Sequence, residues 1–223
     1  MQEVIVIVEG QTEEAFIKRV IAPVFRPQQI YLKPFLMSTS STGKGGAINF
    51  DRLKINVRNS LRGNSAAVLT TFLDLYGLDT SFPNYEQTRN QTDVYQRVNS
   101  LEQALHQALT NFVECRPDRI IPYIQPYEFE GLLFSDITQL CLIEPTWQRS
   151  QDILQRMRDE VDSPEHINNG FQTKPSKRLE DNLQPKYKKT THGPRIAQHI
   201  GTEKMELECT HFKSWMNKIR ALG

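Results

Sequence analysis

Three apolar runs in this sequence lead into acids that could act together. Val4-Ile5-Val6-Ile7-Val8 ends on Glu9, with Gly10 and then Glu13 and Glu14 just beyond. Thr70-Thr71-Phe72-Leu73 ends on Asp74, and the run from Arg119 to Ile124 is followed by Glu128 and Glu130. Parallel strands bring their carboxyl ends to one edge of a sheet, so acids far apart in sequence can meet there. Several carboxylates in one crevice repel unless cations neutralise them. Oxygen donors without His or Cys select hard Mg²⁺ or Mn²⁺. Two such ions about 4 Å apart would form a phosphodiester-cleaving arrangement.

The individual acids differ in weight. Glu9 and Asp74 sit directly at strand ends. Glu13, four residues after Glu9, can reach the same side. Glu14 reads as helix-end electrostatics, since the first turn of a helix favours acids in any protein. Glu128 and Glu130 lie about 200° apart on a regular helix and would not face one centre; Glu128 is the nearer to the strand end. Asp136 reads as a cap, and Asp79 as a loop residue. A site of this kind also needs a cation for the phosphate, which draws attention to Lys188 and Lys189. His192 suits a cap or solvent as well as proton transfer, and His211 a structural place.

The elements that must hold these groups follow from the pattern. Val4–Val8 is a strand covered on both faces. A helix over 12–25 follows, with Thr12 as its N-cap. Strands are expected at 30–37, 66–73 and 119–124. Helices are expected at 48–62, 91–113, 147–161 and 176–182, in a short turn 127–134 opened by Pro126, and from 193 onwards. Strands alternating with helices predict an α/β fold. It has a mostly parallel central sheet of about four strands flanked by helices, plus a helical C-terminal part. The division expected is an α/β core over 1–140 and a helical extension over 141–223. The extension carries a basic loop at 163–191 and packs on the core. In that loop Tyr187 stands between Lys186 and Lys188, a pattern able to follow a phosphate backbone, although charge runs are commonly solvated surface.

Composition narrows the classes. The 223 residues carry a formal net charge of +1, with 38% hydrophobic and 24% charged residues, so any nucleic-acid footprint must be local. Cys115, Cys141 and Cys209 show neither CxxC nor zinc spacing. No signal peptide precedes the first strand, and no apolar run approaches a membrane span. A cytoplasmic protein is expected. Ser41-Thr42-Gly43-Lys44-Gly45-Gly46 is not a Walker A loop, because Ser38 and Gly45 stand where Gly and Ser or Thr are required. GxSxG and a strand-following GxGxxG are both missing.

Several segments together resemble the bacterial domain of unknown function 4276 family. They are Val6-Ile7-Val8-Glu9-Gly10 with Thr12-Glu13, Thr71 to Gly77, Tyr123 to Phe134, Lys188 with His192-Gly193-Pro194, and Cys209 to Phe212. That family is similar to Toprim domains of topoisomerases, primases and nucleases. The resemblance implies a Toprim-like Rossmannoid fold and Mg²⁺-dependent (or Mn²⁺-dependent) cleavage of DNA or RNA. Glu9 matches the first acid of the Toprim pattern and Glu13 the spaced partner of its nuclease branch. Asp74 matches the first Asp of Asp-x-Asp, but position 76 is Tyr. The missing ligand would then come from Glu128 or Glu130. Glu9, Asp74, Glu128 and Glu130 are thus expected around the metal. Glu9, Glu13, Asp74, Glu128 and Lys188 are expected in catalysis, with Lys188 on the phosphate. The resemblance also implies a place in anti-phage defence beside an ABC-type ATPase. The missing Asp at position 76 speaks for a second expectation, a non-catalytic subunit that binds such an ATPase or nucleic acid.

Overall fold

The computed structural model describes residues 1–37, 48–168, 170 and 173–223. The loop 38–46 and part of the basic region (169, 171 and 172) lie outside them.

Strand β1 (Gln2–Val8) is central and alternates between two cores. Val4, Val6 and Val8 face one, while Ile5 and Ile7 face the other, as successive side chains of a strand must. It pairs in parallel with β2 (Ile30–Leu36) on one side and β3 (Val68–Asp74) on the other. Beyond β3 the expected fourth strand is two short pieces, β4 (Ile120–Ile121) and β5 (Ile124–Gln125), both parallel to β3. Pro122 lies at the break, where a missing N–H interrupts a ladder. The α/β sheet is therefore parallel throughout its described pairings, in the order β2-β1-β3-β4.

Helices α2 (Phe50–Leu61) and α3 (Val94–Val113) cover the face that holds Ile5 and Ile7. Asn49 and Asp93 cap them by accepting from the first-turn N–H groups. The other face holds α1 (Gln11–Phe16), which continues as a π-helical turn, Ile17–Ile21, and a last turn, Ala22–Phe25. Gly10 rather than Thr12 is its N-cap, and Thr12 is buried inside the helix.

The C-terminal part is helical: α4 (Gln151–Asp159), α5 (Pro175–Asn182), α6 (Lys189–Ile200), α7 (Thr202–Glu208) and α8 (Thr210–Arg220). It shares one core with β1 and α1. Trp215 Nε1 donates to Thr70 Oγ1 of β3 at 2.8 Å, and His211 Nε2 lies 2.8 Å from Glu102 Oε1 of α3. Glu165, only 1% exposed, accepts from His211 N and Phe212 N and so caps α8 from inside the molecule. His211 is thus structural. Asp136 caps the short helix Ile137–Cys141, accepting from Gln139 N. Among the described residues no helix is long and apolar enough to cross a membrane.

Candidate functional site

The chain leaves β1 for β2 on one side of the sheet and later enters β3 on the other. The carboxyl ends of β1 and β3 therefore form the topological switch point of a parallel sheet, where α/β folds bind ligands. Val8 pairs with Phe72, so Glu9 emerges beside Leu73 and Asp74 ends the neighbouring strand.

Asp74 is 4% exposed, and its Oδ1 accepts from Phe129 N at 2.8 Å. Burial, then the charges of Glu9 and Glu13, push its carboxyl well above the usual range. Glu9 Oε2 is enclosed and has no hydrogen-bond partner among the described residues. Burial and then the charge of Glu13 raise the Glu9 carboxyl from 4.5 to about 7. Glu13, buried in α1, is likewise raised by burial. Two glycines make room for this crowding. A Cβ at Gly10 would stand 2.6 Å from Glu13 Oε2, and one at Gly77 would overlap Glu9 Oε2.

Glu128 and Glu130 adjoin this pair differently from expectation. The residues after Pro126 form not a regular helix but an extended Glu128 followed by a 3-10 helix, Phe129–Ser135. Both acids consequently face one cation, Lys189 Nζ, at 4.0 and 3.0 Å. Glu128 also accepts from Lys174 Nζ at 2.8 Å and Ser176 N at 3.0 Å. Burial raises its carboxyl, but the Lys189 charge and these hydrogen bonds outweigh it and hold it below the ordinary value. Glu130, fully buried, accepts from Lys189 and from the Tyr187 hydroxyl, and burial raises it. With these oxygens engaged, Glu128 and Glu130 hold Lys189 in place rather than standing free as metal donors.

Lys189 is the cation shared by Glu128 and Glu130, with Lys174 on the outer side of Glu128. Burial lowers its ammonium, but the charges of Glu130, Asp74 and Glu128 outweigh this and raise it, so it stays charged. Lys188, the residue expected, is exposed at the N-cap of α6, where its N–H donates to His192 Nδ1. His192 is therefore a helix-capping acceptor; its ring packs on Trp147, and burial lowers its pKa. Lys189 reaches the acids because α6 lies tight on α1. A Cβ at Gly193 would meet Thr12 Cγ2 at 3.2 Å and the Tyr187 hydroxyl at 2.9 Å. Among the described residues much of the basic stretch is engaged: Tyr187 is 4% exposed, Lys177 pairs with Asp181, and Arg178 donates to Thr173 O, while Lys186 and Lys188 are exposed. Glu14 pairs with Lys18 one turn on.

Among the described residues no three His, Cys, Asp and Glu side chains form a ready coordination set. The donors nevertheless fit a hard cation. Among the described residues Glu9 Oε2 is enclosed without a partner, and Asp74 beside it accepts from a backbone N–H through Oδ1. Mg²⁺ is ordinarily held by one or two carboxylates, with water and substrate phosphate completing the shell. An open cleft of about 990 Å³ lies at the opposite edge of the sheet, lined by Arg58, Arg62, Arg116 and Arg119 among others. Arg119 is tied to Ala67 O and Asn64 O, and the cleft lacks a comparable group of buried acids.

The model of the family described as "Domain of unknown function (DUF4276)" matches residues 8–220. The chain belongs to the DUF4276 family. No curated protein and no solved structure matches it. The matched span contains every residue of the DUF4276 carboxylate edge, from Glu9 to Lys189.

Proposed function

We propose that this DUF4276 protein is a Mg²⁺- or Mn²⁺-dependent nuclease that cleaves phosphodiester bonds in DNA or RNA at the β1/β3 edge. The observation that carries the proposal is the adjacency of Glu9 and Asp74 at the switch point, with Glu9 Oε2 buried and unsatisfied. A buried, unpaired carboxylate oxygen is costly, and a bound cation removes that cost. When bound, the ion would polarise the scissile phosphate and acidify a water.

The remaining steps belong to the chain. Glu9 and Asp74 would hold the ion. Glu13, whose carboxyl burial raises, accepts the proton of the attacking water as the new P–O bond forms; the ester P–O bond breaks, and the departing oxygen takes its proton from solvent. Lys189 Nζ, at 3.0 Å from Glu130 and on a side chain 38% exposed, meets a phosphate oxygen and offsets charge that builds there. Glu128, Glu130 and Tyr187 fix that ammonium. An acid after the first strand and an Asp at the end of the strand beside it support a Toprim-like reading. Through that likeness the proposal extends to an anti-phage effector in the cytoplasm, acting beside an ABC-type ATPase.

Tyr76, at the place of the second Asp, favours a second reading: a non-catalytic subunit that binds nucleic acid or an ATPase. The variant Glu9→Gln separates the two. It should abolish Mg²⁺-dependent cleavage of DNA and RNA while leaving the circular dichroism spectrum unchanged. Cleavage at the parent rate would refute the site. A parent protein that cuts neither polymer with Mg²⁺ or Mn²⁺ would favour the binding subunit.

A further inference from the structure

Two tyrosines border the carboxylate edge and take no part in the steps above. Tyr76 follows Asp74 by two residues, and Tyr127 immediately precedes Glu128. Tyr76 N donates to Tyr127 O at 3.1 Å, which ties the two loops together. Their rings lie 5.6 Å apart, tilted by 42°, and Tyr76 remains 42% exposed. Tyr127 holds φ at 57°, a left-handed conformation that costs a non-glycine residue about 1–3 kcal/mol and gathers at functional sites. The peptide that joins Tyr76 to Gly77 runs against Glu9, since a Cβ at Gly77 would overlap its Oε2. Gly77 therefore sets the tyrosine pair directly beside the Glu9 carboxylate of the proposed hydrolytic centre.

Arg97, in the first turn of α3, adds a cation. Its guanidinium lies 5.5 Å over the Tyr85 ring, its charge acts on the Tyr76 hydroxyl, and its Nε is enclosed without a hydrogen-bond partner among the described residues.

We propose that the exposed ring of Tyr76, backed by the half-buried Tyr127, stacks one unpaired base of a single-stranded nucleic acid whose backbone crosses the Glu9–Asp74 edge, with Arg97 meeting a flanking phosphate. The proposal rests on the nuclease reading of that edge and names its substrate class. A base inside a duplex has both faces covered, so only a single strand or an extruded base can lie on an aromatic ring. Base–aromatic stacking tolerates any sequence, because every base has a π-face.

The test is binding of the 223-residue protein in EDTA, read by fluorescence anisotropy with a labelled short oligothymidylate, its abasic counterpart and a duplex of equal length. The oligothymidylate should bind more tightly than the abasic strand by about 5- to 150-fold, the range expected for one stacked base. Tyr76→Ala should bring the two affinities together, and Tyr76→Phe should keep them apart. Equal affinity for intact and abasic strands in the parent would overturn the proposal without any variant. So would a duplex that binds as well as the single strand, or discrimination that survives in a folded Tyr76→Ala protein. Cleavage with Mg²⁺ is read separately. Base-dependent binding without cleavage would refute the nuclease alone, and cleavage without base-dependent binding would refute the platform alone.

Discussion

Gly77→Ala is the substitution that separates the site from the fold most cleanly. The backbone at Gly77 is outside the left-handed region, so alanine fits its conformation. The added Cβ would overlap Glu9 Oε2 and stand 3.0 Å from both Glu9 Oε1 and Cδ. Carbon atoms pack at about 3.5–4 Å, so the carboxylate must retreat by about 1 Å. It is the end of a flexible side chain, and a rotamer change relieves the overlap at about 1 kcal/mol or less. Stability should therefore hardly change, while a 1 Å displacement of a positioned group costs roughly 100-fold in rate. Mn²⁺ affinity by calorimetry, nuclease rate and thermal midpoint together read the effect. The expected pattern is a loss in the first two and a nearly constant third. Unchanged Mn²⁺ affinity and rate in the folded variant would refute the placement of Glu9 in the site.

Further outcomes follow from the same charges. Burial and then Glu13 raise the Glu9 carboxyl from 4.5 to about 7, so the folded protein holds a proton there that the unfolded chain has released. The folded state binds more protons across that window, and metal-free stability falls as pH rises through it, by about 3 kcal/mol from Glu9. Urea midpoints on either side of the window check this; Glu9→Gln should flatten the slope, and an unaltered slope would exclude Glu9 as its source. Lys189→Met leaves Glu130 facing an apolar group and should cost on the order of 1–3 kcal/mol in urea unfolding. It should also abolish cleavage, whereas Lys188→Met should do neither.

The sheet and its acids were legible because the strands are β-branched and end abruptly. Val4–Val8 and Thr70–Leu73 can only be buried strands, and Glu9 and Asp74 then fall at their carboxyl ends. The third contributor was harder to read. Residues 127–134 look helical by apolar spacing, and a regular helix would splay Glu128 and Glu130. The extended Glu128 and the 3-10 turn instead aim both at Lys189. The choice of Lys189 over Lys188 is a tertiary fact, set by how closely α6 approaches α1 at Gly193. Tyr187 sits in a cationic run that reads as surface, yet its hydroxyl is buried on Glu130. Glu165, between Pro164 and His166, gave no local sign that it would cap α8. Gly77 reads in the sequence only as a loop glycine; the closeness of Glu9 gives it its role.

The most direct test of the carboxylate edge as a metal centre is a Mn²⁺ soak of crystals, followed by an anomalous difference map. An anomalous peak beside Glu9 Oε2 and Asp74 is predicted in the parent, lost in Glu9→Gln. A map with no peak there at millimolar Mn²⁺, or a peak that survives Glu9→Gln, would contradict it.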